Sequence, residues 1–157
     1  MAFGASKERG MSLDSTDRRI LSLLKEDSRM QYAEIGKKVN LSAPAVHARV
    51  KKMESNNIIR GYTIDINPIA LEADLCAFIR IGKGKGTSAE VAKELVKIKQ
   101  IEECHGVAGE DCLMVKLRTR STAELSTLID HIRGIEGIDR TLTVVVLESH
   151  FERGLTP

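Results

Sequence analysis

The chain has 157 residues and a mass of 17.3 kDa, which is room for one ordinary domain or two small ones and too little for a large α/β enzyme. Hydrophobic residues make up 42% and charged residues 29%, a balance that supports a packed core and excludes wholesale disorder. The formal net charge of +2 hides a division, since residues 1–66 hold 12 Lys and Arg against 8 Asp and Glu while residues 67–157 hold 12 against 14. Between residues 28 and 60 the excess sharpens to seven basic against two acidic residues, a patch that suits either a polyanion or a solvated helix face. No apolar run approaches the roughly 18 residues of a membrane helix, and Met1 to Ser12 lacks the apolar stretch of a secretory signal, so the expected location is the cytoplasm, with no membrane partner. Cys76, Cys104 and Cys112 form no CxxC pair, which argues for reduced thiols in strands and against a disulfide framework or a structural zinc site.

Residues 1–12 show no period and read as a disordered tail, with Met11 as an alternative start. Asp14 with Asp17 offers a capped helix start, followed by Ile20, Leu21 and Leu24 at helical spacing, so a first helix is expected over 15–26. A second pattern from Tyr32 to Val39 places Ile35 and Val39 on one face and Lys37 and Lys38 on another. Asn40 to Ser42 break it, and Ser42 is a good N-cap for a third helix with Pro44 in its first turn. The result is a tight helix-turn-helix. In the third helix Val46, Val50 and Met53 form the buried stripe, turning small residues and then basic ones outward. From Ile58 to Pro68, Tyr62, Ile64 and Ile66 alternate with Thr63 and Asp65, the period of a strand, which predicts a wing. This winged helix-turn-helix domain is expected to span residues 13–67.

Residues 68–157 contain a repeated pattern. Leu75, Ala77, Ile79 and Ile81 alternate as a strand, a flexible loop of Gly82, Gly84 and Gly86 follows, and Thr87 with Glu90 forms a capping box for a helix with Val91, Leu95 and Ile98 inward. Ile101 to Val107 is the returning strand. The pattern recurs with a strand from Cys112 to Thr119, a second capping box in Ser121 and Glu124, a helix carrying Leu125, Leu128, Ile129 and Ile132, Gly134 as C-cap, and a strand from Ile138 to Glu148. The fold class is therefore α+β, a winged helix-turn-helix followed by a ferredoxin-like βαββαβ sandwich. Both faces of the third and fourth strands read as apolar although two helices can cover only one, which predicts a homodimer formed sheet to sheet.

The outer face of the third helix supplies the candidate DNA contacts. Ser42, Ala43, Pro44, Ala45, His47 and Ala48 lie near its start, where small side chains permit close approach and Ser and His can bond base edges. Arg49, Lys51, Lys52 and Arg60 can neutralise phosphates of double-stranded DNA. In the second half, the hairpin Gly106, Val107, Ala108, Gly109, Glu110 and Asp111 is either a plain turn with solvated carboxylates or a ligand site. Its glycines allow backbone N–H groups close to a carboxylate, and Asp111 or Glu110 could pair with an ammonium. Cys104 and His105, adjacent on a strand, point to opposite faces and cannot easily share a metal. The Gly82–Gly86 run lacks the ending of a phosphate loop, and residues 101–119 carry no aromatic ring on which RNA bases could stack. No catalytic set, metal site or cofactor is expected.

The stretches LDSTDRRILSLLKEDSR, AEIGKKVNLSAPAVHARVKKMESNNII and RGYTIDINP resemble the DNA-binding half of the Lrp/AsnC, or feast-or-famine, transcriptional regulators, and the resemblance covers the chain from Leu13 to its end. It implies a winged helix-turn-helix joined to a βαββαβ ligand-sensing module of the RAM/AsnC type. It further implies dimers that assemble into octamers or similar rings, with a small-molecule effector, an amino acid, bound where dimers meet. The family's ligand-module signature, hydrophobic-x-Gly-x-x-Asp, is one residue shorter in Val107 to Asp111. Two other readings share the architecture: a sirohaem decarboxylase-like enzyme, for which His105 and His131 would be the histidines in the sandwich interior, and an architectural DNA-binding protein without an effector.

Overall fold

The computed structural model describes residues 12–157, with Lys83 described by its backbone alone; the tail expected over residues 1–12 lies outside it except for Ser12. Two compact units make up the described chain, residues 12–64 together with 153–157, and residues 65–152.

The first unit is a trihelical bundle of α1 (Ser15–Glu26), α2 (Tyr32–Val39) and α3 (Ala43–Ser55). The Asp14 carboxylate accepts from the Asp17 N–H at 2.7 Å while the Asp17 carboxylate accepts from the Asp14 N–H at 3.3 Å, the reciprocal box that starts α1. Ile20, Leu23, Leu24, Ile35, Val46, Val50 and Met53 close the core; Leu23, not Leu21, takes the deep position of α1. Asn40 ends α2 in the left-handed region at φ 55°, and the Ser42 hydroxyl accepts from the Ala45 N–H to start α3. The turn between them is tight enough to require a glycine. A Cβ on Gly36 would stand 2.4 Å from the Leu41 carbonyl oxygen, and the Leu41 N–H donates to the Gly36 carbonyl at 2.9 Å.

The expected wing does not form in the single chain. Residues 60–67 form neither helix nor strand, and the alternating Tyr62, Ile64 and Ile66 are about half or more exposed. Alternation fixes a strand only when a neighbouring ladder accepts its N–H and C=O groups, and the described residues of this unit hold no other strand.

The second unit follows the expected order, with β1 (Leu75–Lys83), α4 (Ser88–Leu95), β2 (Ile101–Gly106), β3 (Leu113–Thr119), α5 (Thr122–Arg133) and β4 (Ile138–Val145). The antiparallel sheet is ordered β2-β3-β1-β4. Ala77, Ile79, Ile81, Leu113, Val115 and Leu117 face α4 and α5, whose Val91, Leu95, Leu125, Leu128 and Ile132 complete the core. Three expectations need correction. Gly82 is a strand residue, buried and paired with Arg140, and only glycine fits there, since a Cβ would meet the Arg140 side chain at 2.4 Å. The second capping box is only half made: Ser121 accepts from the Glu124 N–H, but the Glu124 carboxylate accepts from the Arg120 N–H at 2.9 Å. The last strand stops at Val145, not Glu148.

The open sheet face is also not uniformly apolar. Register places Phe78 beside Lys116 and Val144, and Arg80 beside Met114 and Leu142. Lys116 and Arg118 stand on this face, largely covered, and both pair with Glu102 and Glu152. Their long side chains carry apolar stems under charged ends, so a strand with alternating hydrophobicity on one face conceals an ionic network on the other. The Lys116 hydrogen bond chiefly holds the Glu152 carboxyl below the usual glutamate range. Phe78, Met114, Leu142 and Val144 remain as the apolar part.

Gly36→Ala is expected to lower the unfolding free energy of the first unit by about 2 kcal/mol, because the obstructing atom is backbone and cannot rotate away. Gly61→Ala, where the added carbon meets nothing within 4 Å, serves as control, and chemical denaturation measures both.

Candidate nucleic-acid interface and effector turn

On α3 the inward stripe of Val46, Val50 and Met53 leaves Ser42, Pro44, His47, Ala48, Lys51 and Lys52 exposed, with Ala43 and Ala45 half-buried. The exposed arc is narrow and small near the helix start and becomes basic one turn later. The His47 ring leans on Tyr32 with centroids 5.5 Å apart, which orients it without hiding it. Ser42 is occupied as the N-cap.

The three basic residues of α3 have different surroundings. Arg49 is turned inward, and its terminal nitrogen Nη1 donates to both Asp14 and Asp17 at 2.7 Å. That bond joins the middle of α3 to the start of α1, so Arg49 clamps the bundle and leaves the set of residues that face outward for phosphate. Lys51 Nζ is bonded to Glu54 at 2.8 Å. Lys52 and, beyond the helix, Arg60 have no carboxylate partner among the described residues and are exposed. Glu54, which accepts from both Lys51 and the Tyr62 hydroxyl, is the polar residue that sequence reasoning passed over. Its i,i+3 spacing from Lys51 was the available signal.

In the second unit the turn between β2 and β3 holds Val107 to Cys112, closed by the Val107 N–H donating to the Cys112 carbonyl at 3.0 Å. Gly109 adopts φ +150°, and a Cβ on Gly106 or Gly109 would meet nothing within 4 Å. The turn therefore presents open backbone on its outer side. Its two carboxylates differ sharply. Asp111 is buried, receives Arg80 Nε at 2.6 Å, and lies 3.3 Å from Arg140. Glu110 is almost wholly exposed and 3.9 Å from Arg140. Arg140 also donates to the Glu110 carbonyl at 3.1 Å, and Gly82 leaves the space across which its side chain lies. Asp111 thus fastens the turn to β1 and β4, and the carboxylate that faces solvent is Glu110. Neither arginine could be found from spacing, because Arg80 and Arg140 reach Asp111 only through strand register.

The remaining candidates fall away by position. His105 and His131 are exposed, not interior, and His105 pairs with Glu103 at 3.0 Å. Cys104 sits opposite Val115 and His105 opposite Met114, on opposite sheet faces. Cys76, Cys104 and Cys112 are free thiols, and burial pushes the Cys76 thiol up. No cluster of three metal-binding side chains occurs among the described residues. No helix there is long and apolar enough to cross a membrane.

Comparison with known proteins agrees with this geometry. The AsnC-type helix-turn-helix domain matches residues 13–54, and the Lrp/AsnC ligand binding domain matches residues 76–156. The chain belongs to the Lrp/AsnC family. Among its Lrp/AsnC relatives, the HTH-type transcriptional regulator FL11 of Pyrococcus abyssi is 39% identical over 142 residues, covering 90% of this chain and 94% of that protein. The structure of Escherichia coli AsnC superposes with a TM-score of 0.87 at 31% identity, covering 93% of this chain and 99% of that one. A Neisseria meningitidis transcriptional regulator, solved as a complex with L-Met, superposes with a TM-score of 0.85 at 25% identity over 93% of this chain and 96% of that one. The helix-turn-helix and the ferredoxin-like module are those of Lrp/AsnC transcriptional regulators.

The Arg49 clamp has a pH signature. The Asp17 N–H first, and Arg49 second, hold the Asp14 carboxyl below the usual aspartate range. A depressed carboxyl stabilises the fold above its unfolded pKa, and that contribution is lost as pH falls through the folded value. Arg49→Ala should therefore melt at a lower temperature than the parent at neutral pH, with the gap narrowing as pH enters the aspartate range. Thermal melts across that range measure it.

Proposed function

We propose that α3 enters the major groove of double-stranded DNA through Ser42, Ala43, Pro44, Ala45, His47 and Ala48, while Lys51, Lys52 and Arg60 contact phosphates and Arg49 holds the helix in place. The carrying observation is the graded outer face of α3, small at its start and cationic one turn later, on a helix locked by a glycine-dependent turn. Small residues bring the backbone close to base edges, and the cations release counterions whatever the sequence. The apolar strip of Phe78, Met114, Leu142 and Val144 supports a homodimer joined through open sheet faces, which would present two such helices to successive grooves roughly 34 Å apart. Assembly into larger rings, action in the cytoplasm and the absence of catalysis complete this reading, supported by relatives that are named transcriptional regulators. Lys52→Ala should weaken binding to all duplexes alike and reduce the slope of log affinity against log salt by about 0.9 per lost contact. Fluorescence titration at several salt concentrations measures this, and an unchanged slope removes Lys52 from the interface.

The effector is an amino acid in this reading, bound at the turn Gly106, Val107, Ala108, Gly109, Glu110 and Asp111. The L-Met complex of the Neisseria relative supports the class. Open backbone at Gly109 suits an α-carboxylate, and Glu110 suits the ammonium, because Asp111 is committed to Arg80 and Arg140. A ligand bound only by the folded state raises its melting temperature, so a screen of the twenty amino acids should yield hits in the parent. Glu110→Gln should lose them while keeping the parent's own melting temperature. Retained hits move the ammonium partner elsewhere. Asp111→Ala, by contrast, should lower stability in the absence of any ligand, because it leaves a half-covered arginine without its carboxylate.

A further inference from the structure

Lys51 stands on the outward face of α3, yet its ammonium is already engaged. Nζ donates to Glu54 Oε2 at 2.8 Å, within one turn of the same helix. The other carboxylate oxygen, Oε1, accepts from the Tyr62 hydroxyl at 3.0 Å. Lys51 and Glu54 alone would be an ordinary exposed i,i+3 pair, weak in water and easily displaced. The third member changes this. Tyr62 lies beyond the end of α3, in the segment 60–67 that no strand ladder holds, and it fixes one oxygen of Glu54 so that the other stays aimed at Lys51. Tyr62, Glu54, Leu24, Met30 and Tyr32 line one hollow of the first unit. Burial first, and the Glu54 carboxylate second, push the Tyr62 hydroxyl up to about 12, so it remains a donor at physiological pH.

We propose that Glu54, oriented by Tyr62, is a built-in competitor for the DNA phosphate at Lys51, and that drawing the segment of Tyr62 away from α3 releases that competition. The proposal rests on the reading that α3 faces DNA. A phosphate oxygen reaching Lys51 must take the place of a carboxylate oxygen in a charge-assisted hydrogen bond. The displaced Glu54 then sits close to the phosphates as a like charge. Both effects lower affinity for every duplex, since the contact is to the backbone and carries no sequence information. With Tyr62 removed from Glu54, the carboxylate turns freely and Lys51 is held only by the weak exposed pair. Tyr62 is thus a positioning residue that acts on the interface through two other side chains, and its segment leads directly out of the first unit at Ile64.

The test is a salt titration of binding to a mixed-sequence DNA duplex by the full chain, using Glu54→Gln, Tyr62→Phe, Lys51→Ala and the double variants Glu54→Gln/Lys51→Ala and Glu54→Gln/Tyr62→Phe. Glu54→Gln is expected to bind about threefold tighter, with a salt slope steeper by up to ~0.9 per protomer. Tyr62→Phe should shift both in the same direction by less, and should add nothing when combined with Glu54→Gln. In the Lys51→Ala background, Glu54→Gln should tighten binding markedly less, because only the relief of like charge remains. Equal tightening with and without Lys51 would show only the loss of a nearby negative charge and overturns the proposal, as does no tightening at all. If Lys51→Ala itself leaves affinity and slope unchanged, the underlying placement of Lys51 on DNA fails instead, a result distinct from either of these.

Discussion

A recognition helix is useful only if its angle to the rest of the bundle is fixed, and here that angle depends on the absence of one side chain. Gly36 lets the end of α2 and the Leu41 carbonyl approach to a distance at which no Cβ fits. The left-handed Asn40 and the Ser42 cap follow from this closeness, because a chain that reverses in so few residues needs a positive φ to turn and a side-chain oxygen to start the next helix. Arg49 then ties α3 back to the first turn of α1 through two aspartates that also cap that turn. One guanidinium therefore links the helix start and the helix that carries the candidate DNA face. With both constraints in place, Val46, Val50 and Met53 can only face the core, and the remaining arc can only face outward.

The second unit solves a similar problem with charge. A hairpin turn with two glycines gains freedom that would blur any site built on it. Asp111 removes that freedom by accepting from Arg80 on β1 and lying beside Arg140 on β4, so the turn is fixed to two strands other than its own. The pairing needs Gly82, since a side chain there would occupy the path of Arg140. Buried ion pairs are uncertain contributors to stability but good at specifying one arrangement. In this turn the specified arrangement keeps Glu110 and the Gly109 backbone on the solvent side.

The three helices of the first unit, with the starting caps of α1 and α3, were legible in the sequence, since capping residues and 3.6-residue periodicity are local. So were the two strand-helix repeats, because the two halves of the module repeat their strand and helix patterns in the same order. What failed depended on partners far along the chain. Tyr62, Ile64 and Ile66 alternate as a strand should, yet alternation cannot supply a neighbouring ladder. The third strand read as apolar on both faces, and only Glu102 and Glu152 lying against Lys116 and Arg118 show that one of those faces is largely ionic. Asp111 read as a free carboxylate beside two glycines, and only the register of β1 with β3 and β4 shows it to be taken. Arg49 read as one more cation in a basic run. Its inward turn follows from two acids 32 and 35 residues earlier, a separation at which sequence spacing carries no signal.

The rim of the sheet formed by β2 carries Glu102, Glu103 and His105 and is exposed along nearly all its length. A foreign strand added there would set its own backbone beside a row of polar and charged side chains that need water, which disfavours growth of the sheet along this edge. This rim is thereby a poor seam for a further strand, and the apolar side chains Phe78 and Val144 lie away from it, on the broad face of the sheet.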